Sequence, residues 1–163
     1  ERETLWRGRK KAFGAMGRLA PELLVQDAVV PRTALPRVLR RVMEIGAQHD
    51  LRIANVFHAG DGNLHPCILY DRRDSDQLRR VELASREMMR ACIEAGGTVT
   101  GEHGIGLDKR DYMDGLFEQT TLEAMCALKR VFDPAGLANP AKILPVHVCR
   151  EWVGLATRVE ATA

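Results

Sequence analysis

Apolar and polar positions along the chain fall into two rhythms. Residues 3 to 18 read as a helix, with Leu5, Trp6, Phe13 and Met16 as apolar positions. Gln26 to Pro31 reads as a strand built on Asp27-Ala-Val-Val and ended by Pro31. Val38, Leu39, Val42 and Ile45 then recur at helical spacing to about Ala47, with Thr33 placed to cap that helix and Pro36 suited to its first turn. Leu51 to Phe57 and His65 to Tyr70 are strand-type runs, and Pro66 suits a strand start or a bulge. Asp74 followed by Gln77 forms a capping-box pattern for a helix to about Ala95, with Leu78, Val81, Ala84, Met88, Ala91 and Cys92 as its buried stripe. Gly96-Gly97 stops it. Thr98 to Gly101 reads as a fourth strand. Thr120 with Glu123 predicts a cap for a last helix reaching Phe132, with Met125, Leu128 and Val131 inward and Asp133-Pro134 at its end. Residues 137–145 form a proline-bounded loop. Residues 146–163, including Trp152, carry little pattern and are expected to be helical or loosely packed.

The order is β-α-β-β-α-β, with a helix before it and helices after. That is the split βαβ, ferredoxin-like arrangement of an α+β fold. An antiparallel sheet with helices on one face leaves the other face open for a site.

Composition narrows the classes. A chain of 163 residues can bury a real core as one domain. A net charge of +2 gives no support to nucleic-acid binding. No apolar run approaches a membrane span, and the opening Glu1-Arg-Glu-Thr lacks the apolar centre of a signal peptide. The chain does not begin with Met, so an upstream part is expected. Cys67, Cys92, Cys126 and Cys149 are scattered with no Cys-x-x-Cys pair, which predicts free thiols and a cytoplasmic setting. The basic run Arg7, Arg9, Lys10 and Lys11, the pair Lys109-Arg110 and His49 at a helix end all read as solvated. The methionines read as core.

Candidate chemistry concentrates in Phe57-His-Ala-Gly-Asp-Gly-Asn-Leu-His65. Two histidines flank a turn in which Gly60 and Gly62 relieve crowding and Asp61 and Asn63 tolerate left-handed angles. The simplest arrangement is a hairpin with one histidine on each arm, His65, Cys67 and Leu69 sharing a face. Neutral imidazole is the commonest protein metal ligand. Glu102 offers a third donor at the end of the fourth predicted strand, beside His103. A His-x6-His spacing is not by itself a zinc signature, so a hairpin that binds nothing stays open. Gly104-Ile-Gly106 is not a phosphate loop, since it lacks both Gly-x-Gly-x-x-Gly and a Walker lysine.

His58-Ala-Gly-Asp-Gly-Asn-Leu-His65, Gly101-Glu-His-Gly-Ile-Gly106 and Asn139-Pro-Ala-Lys-Ile143, in that order, resemble the C-terminal domain of FAD-linked oxidases of the vanillyl-alcohol oxidase superfamily. The likeness is to the branch of bacterial glycolate oxidase flavoprotein subunits and D-lactate dehydrogenases. It runs from Leu5-Trp-Arg-Gly-Arg9 to Pro145. The resemblance implies a domain over residues 1–145, a tail over 146–163 and an FAD-binding domain that precedes this one. It implies that His58, His65 and Glu102 hold a divalent metal (Zn, Mn or Fe) and that His103 is the general base on a 2-hydroxy acid. Arg9 would bind the substrate carboxylate, Asn63 would turn to the substrate or only shape the hairpin, and Asn139 and Lys142 would contact the flavin side. For Lys142, a plain surface lysine stays equally open. Relatives acting on dicarboxylates carry Thr and Lys where this chain has Phe13 and Val25, which favours a small monocarboxylate; they carry Asn where it has Cys67, so one substrate or metal contact of those relatives is not implied here. Relatives of this type also work with further subunits, including an iron–sulfur one, which would place the protein peripherally at the inner membrane face.

Two other classes compete. A stand-alone zinc hydrolase would use the same His₂Glu set, although no His-Glu-x-x-His helix exists. A non-catalytic ferredoxin-like binding module would leave the histidines structural.

Overall fold

The computed structural model describes residues 2–149; the reading of Trp152 and the rest of 150–163 lies outside the described residues, as does the side chain of Leu5. The chain divides into two compact units, Glu1–Gly101 and Glu102–Ala163.

The first unit is an α+β sheet domain. Its helices are α1 (Arg2–Lys10), α2 (Ala12–Met16), α3 (Leu35–Gln48) and α4 (Ser75–Glu94), and its strands are β1 (Glu22–Val25), β2 (Ala28–Val29), β3 (Arg52–His58) and β4 (Asn63–Tyr70). Strand β4 is central. It pairs antiparallel with β3 along its whole length on one edge, and with β1 and then β2 on the other. Val29 makes one further antiparallel bridge, to Thr98. Counting β1 and β2 as one edge, the sheet runs Thr98, β1/β2, β4, β3, the order expected of a split βαβ fold.

Several expectations change in detail. The first predicted helix is two, broken at Lys11, and it exposes Trp6 and Phe13 while burying Met16. The predicted strand over 26–31 is instead an edge that starts at Glu22 and lapses at Gln26–Asp27. The register does not slip across the lapse: Val25 lies opposite Cys67 and Ala28 opposite Leu64. Pro66 is the cause. Its carbonyl accepts the Gln26 N–H at 2.9 Å, so its missing N–H also falls on this edge and no return bond can form. Thr33 does not cap α3, whose N-cap is Ala34 with no side-chain bond. Asp74 does cap α4, accepting the Gln77 N–H at 3.0 Å, but the Gln77 side chain turns to the Asp71 N–H. The fourth strand is reduced to the Thr98 bridge. The Thr98 hydroxyl bonds the Thr100 backbone in both directions and bends the chain instead.

Helices α3 and α4 cover one face of the sheet through Val38, Val42, Ile45, Val81, Ala84, Met88 and Met89. Gln26 reaches that side too, donating to Ser85 at 2.7 Å. His49 is not a free helix end, because its Nε2 lies 2.9 Å from Glu87 on α4. The opposite face, expected to be open, is partly covered. Met16 of α2 packs on Val56, Cys67 and Leu69, with Leu23, Val25 and Ala54 around them.

The second unit holds a 3₁₀ helix (Arg110–Gly115) and α5 (Gln119–Phe132). Its core is Met113, Leu122, Cys126, Ala141, Leu144, Val148 and Cys149. Helix α5 starts from Glu118 without the side-chain cap predicted from Thr120 and Glu123. Leu128 and Val131 are exposed, not inward, because Leu122 and Cys126 set the buried stripe and those two residues fall off it. Lys109 and Arg110 are buried, not solvated: Arg110 Nη1 donates to the Ala141 carbonyl at 3.0 Å. Cys126 and Cys149 form a disulfide, their Cα atoms 5.9 Å apart, so the expectation of four free thiols is wrong for this pair. Twenty-three residues separate them in sequence, and only the return of the chain to α5 brings them together.

Denatured without reductant, the chain should therefore alkylate at Cys67 and Cys92 alone, and at all four cysteines after reduction, as read by intact mass. Four alkylated sites before reduction would remove the cross-link. Gly62 sits at φ +73°, and a Cβ there would lie 2.2 Å from the Val30 carbonyl oxygen. Gly62→Ala should cost on the order of 2 kcal/mol or more in urea unfolding.

Candidate functional site

The hairpin between β3 and β4 builds the site. Its loop, residues 59–62, closes with Asp61 N–H on the His58 carbonyl at 3.0 Å. Of the four residues credited with easing the turn, only Gly62 takes a positive φ; Asn63 is already the first residue of β4. The pairing places His58 opposite Asn63 and Val56 opposite His65. Cross-strand partners share a face, so His58, Asn63 and His65 project together, on the side away from α3 and α4. The two imidazoles meet edge to face with centroids 5.7 Å apart, and each offers a ring nitrogen within 4.8 Å of the other's. His58 is exposed and His65 buried.

The neighbouring edge adds a residue that the sequence reading passed over. Carrying the unbroken register through the lapse puts Asp27 opposite His65, and Asp27 is 0% exposed. Its Oδ1 lies 3.8 Å from His65 Nδ1. Both its oxygens accept the Gly101 N–H at 3.0 Å, and Oδ2 accepts the Thr100 hydroxyl at 2.8 Å. A charged residue inside an otherwise apolar run was the available signal, because a buried carboxylate must find donors. Gly101 is packed so closely that a Cβ would stand 2.6 Å from Asn63 Nδ2. The bend before Glu102 is thus fixed against the face that carries the histidines, and Glu102 follows by one peptide bond.

Glu102 and His103 both lie in a bend and are exposed, with His103 Nε2 3.9 Å from Glu102 Oε1. Neither side chain is committed to one side of a strand, since no strand forms there. Asn63 is buried, and among the described residues its Oδ1 has no hydrogen-bond partner. Cys67, next but one to His65, donates from Sγ to the His65 carbonyl at 3.3 Å, and burial pushes its thiol up to about 11. It is a poor source of thiolate.

A cavity of about 650 Å³ adjoins His58. It is lined by Arg2, Trp6, Arg9, Phe57, His58, Ala59, Gly60 and Asp61. Arg9 therefore lines the same hollow as the first histidine, with Trp6 beside it. Val25 takes no part, being packed in the apolar cluster around Met16.

In the second unit, Asn139 and Lys142 are exposed and bonded to each other, Lys142 Nζ donating to Asn139 Oδ1 at 3.3 Å. Asn139, Ala141 and Ile143 all have positive φ. This unfavourable backbone is held by the Ile143 N–H on the Gly106 carbonyl at 2.9 Å and by Arg110 on Ala141. Arg110 too was missed, because a buried arginine in a polar segment leaves no pattern.

A family model described as FAD linked oxidases, C-terminal domain, matches residues 1–143. The chain is similar to the glycolate oxidase subunit GlcD of Escherichia coli K12, 44% identical over 93% of this chain and 31% of that protein. It is similar to the Bacillus subtilis subunit of the same name, 41% identical over 86% of this chain and 30% of that protein. A mitochondrial D-lactate dehydrogenase [cytochrome] of Arabidopsis thaliana is 34% identical over 91% of this chain and 26% of that protein. The chain spans less than a third of the length of these relatives. By sequence match over most of its length, and with an α+β antiparallel sheet of the expected order, the chain belongs to the family of FAD-linked oxidase C-terminal domains.

Proposed function

We propose that the chain is the substrate- and metal-binding portion of an FAD-dependent 2-hydroxyacid oxidoreductase of the glycolate or D-lactate type. Residues 1–145 would form this portion and 146–163 a tail, with an FAD-binding domain preceding it. The observation that carries the reading is the shared face of His58 and His65, beside a cavity that Arg9 also lines. Relatives named glycolate oxidase subunit and D-lactate dehydrogenase support the substrate class.

His58, His65 and Glu102 would form the donor set for a divalent metal. Two imidazoles and a carboxylate suit Zn²⁺, Mn²⁺ or Fe²⁺ and leave coordination positions for a substrate. The buried Asn63 Oδ1, without a partner among the described residues, is a further polar atom on that face, available to a ligand. When bound, the ion supplies Lewis-acid chemistry, lowering the pKa of a coordinated hydroxyl. FAD supplies the two-electron acceptor.

The chain's own residues divide the remaining work. Arg9 binds the substrate carboxylate through its guanidinium fork. His103 takes the hydroxyl proton on a ring nitrogen. Asn139 and Lys142 face the flavin side. Phe13 and Val25 offer no charge to a second carboxylate, so a monocarboxylate fits best. An iron–sulfur subunit would accept electrons onward, and the assembly would be cytoplasmic and peripheral at the inner membrane face. Among the described residues no helix is long and apolar enough to cross a membrane.

Metal content decides first. The chain joined to its FAD-binding half should hold near-stoichiometric zinc, manganese or iron by mass spectrometry. His58→Ala and Glu102→Ala should lose it with the fold intact. A metal-free wild-type protein that still turns over would end the metal reading. His103→Ala should lower kcat about 100-fold or more with the metal retained. Arg9→Ala should raise KM for glycolate or D-lactate roughly 10–100-fold, reflecting the loss of a charge-assisted bond.

A further inference from the structure

We infer that Asp27 is a positioning residue for the metal centre: its carboxylate fixes which nitrogen of His65 faces the ion and anchors the backbone from which Glu102 departs. This rests on the metal reading above and adds a residue to it.

The geometry is specific. Asp27 stands opposite His65 in the ladder, on the face that carries the histidines, and it is completely excluded from solvent. Its Oδ1 is 3.8 Å from His65 Nδ1. That is longer than a hydrogen bond, but both groups are shut away from water, so the charge is little screened from the ring. It favours the proton on Nδ1, which leaves the Nε2 lone pair for a metal. A carboxylate placed behind a ligating histidine commonly sets tautomer, ring orientation and basicity in this way.

The same carboxylate has a second hold. Its bonds to the Gly101 N–H and the Thr100 hydroxyl pin the two residues before Glu102. One buried charge thus stands beside His65 across the ladder and holds the Thr100–Gly101 bend along the chain. The lapse of the edge strand at Gln26–Asp27, beside Pro66, leaves the register unchanged, so Asp27 stays opposite His65.

A role confined to bracing the turn can be separated from a role in orienting His65. In Asp27→Asn an amide oxygen still accepts the Gly101 N–H, and the Thr100 hydroxyl can rotate to accept from the amide nitrogen. The turn keeps its bonds and the charge is lost. Cobalt(II) titration, followed by the visible d–d absorption, should be run on wild type and Asp27→Asn, each as the 163-residue chain and joined to the FAD-binding half. The expected result is a 10–100-fold weaker cobalt affinity in the variant with unchanged circular dichroism. Long-range ¹H–¹⁵N spectra of the metal-free chain should find His65 protonated on Nδ1 in wild type and in mixed tautomers in the variant. Unchanged affinity and tautomer in Asp27→Asn would overturn the proposal and leave the metal reading standing. Wild type that holds no cobalt in either form would overturn both. If Asp27→Asn does not fold, the wild-type spectrum decides: Nε2 protonation of His65 overturns the proposal, and Nδ1 protonation supports it.

Discussion

The first unit depends on one strand being hydrogen-bonded along both edges. Strand β4 fixes β3 on one side and β1 with β2 on the other, and side chains alternate with a period of two. Registers on two edges lock each other. A slip of one residue on either would carry Leu64 and Ile68, now fully buried under the helices, to the site face. It would also turn His65 into the helix layer, away from His58 and Asp27. The cost of moving those apolar side chains is what keeps the imidazoles in place. Chemistry at the end of this sheet is therefore stabilised by packing several residues away from it.

Pro66 shows how a local defect in such a ladder can be useful. A proline inside a central strand removes one donor. Here the vacancy falls on the β1/β2 edge, and the ladder to β3 is untouched. The edge strand lapses for two residues, Gln26 and Asp27, without losing register. Gln26 turns to Ser85 under the helices and Asp27 to the site face. Both polar groups are buried and both are bonded, as buried polar groups must be. An edge that never lapsed would bind its own backbone at these positions, and the Gly101 turn would have less to hold it.

The legible part of the fold was the part with a strong local signal. Helices α3 and α4 follow from apolar spacing, the Asp74 cap from its side-chain chemistry, and the hairpin from glycines between two strand-type runs. The sequence order alone gave the split βαβ topology. What was hidden is tertiary. The edge strand begins at Glu22 because β4 offers a partner there, not because Glu22–Val25 has a distinctive pattern. Thr98–Gly101 has strand-forming residues, but its threonine hydroxyl competes for the backbone and the chain bends. The disulfide needed knowledge of where the chain returns after α5. Candidate site residues were legible as donors; Asp27 left only the signal of a charge in an apolar run, and its place opposite His65 comes from the register.

The second unit solves a different problem with similar means. Three non-glycine residues with positive φ within five positions are unfavourable backbone, each costing about 1 kcal/mol or more. Such a segment persists only if its surroundings over-determine it. Ala141 is fully buried, its carbonyl is held by Arg110, and Ile143 is held by Gly106. The Cys126–Cys149 bridge closes a loop around the whole segment. A chain that only needed to connect α5 to its end would have no reason to keep that conformation. Its effect is to hold the Asn139 and Lys142 side chains outward and side by side, while Ala141 and Arg110 are buried beneath them. In both units, then, buried polar groups with no chemistry of their own set the direction of exposed groups that can have some. Substitutions at Asp27 and Arg110 are accordingly where stability and function should be hardest to separate, and where an isosteric change is more informative than a truncation.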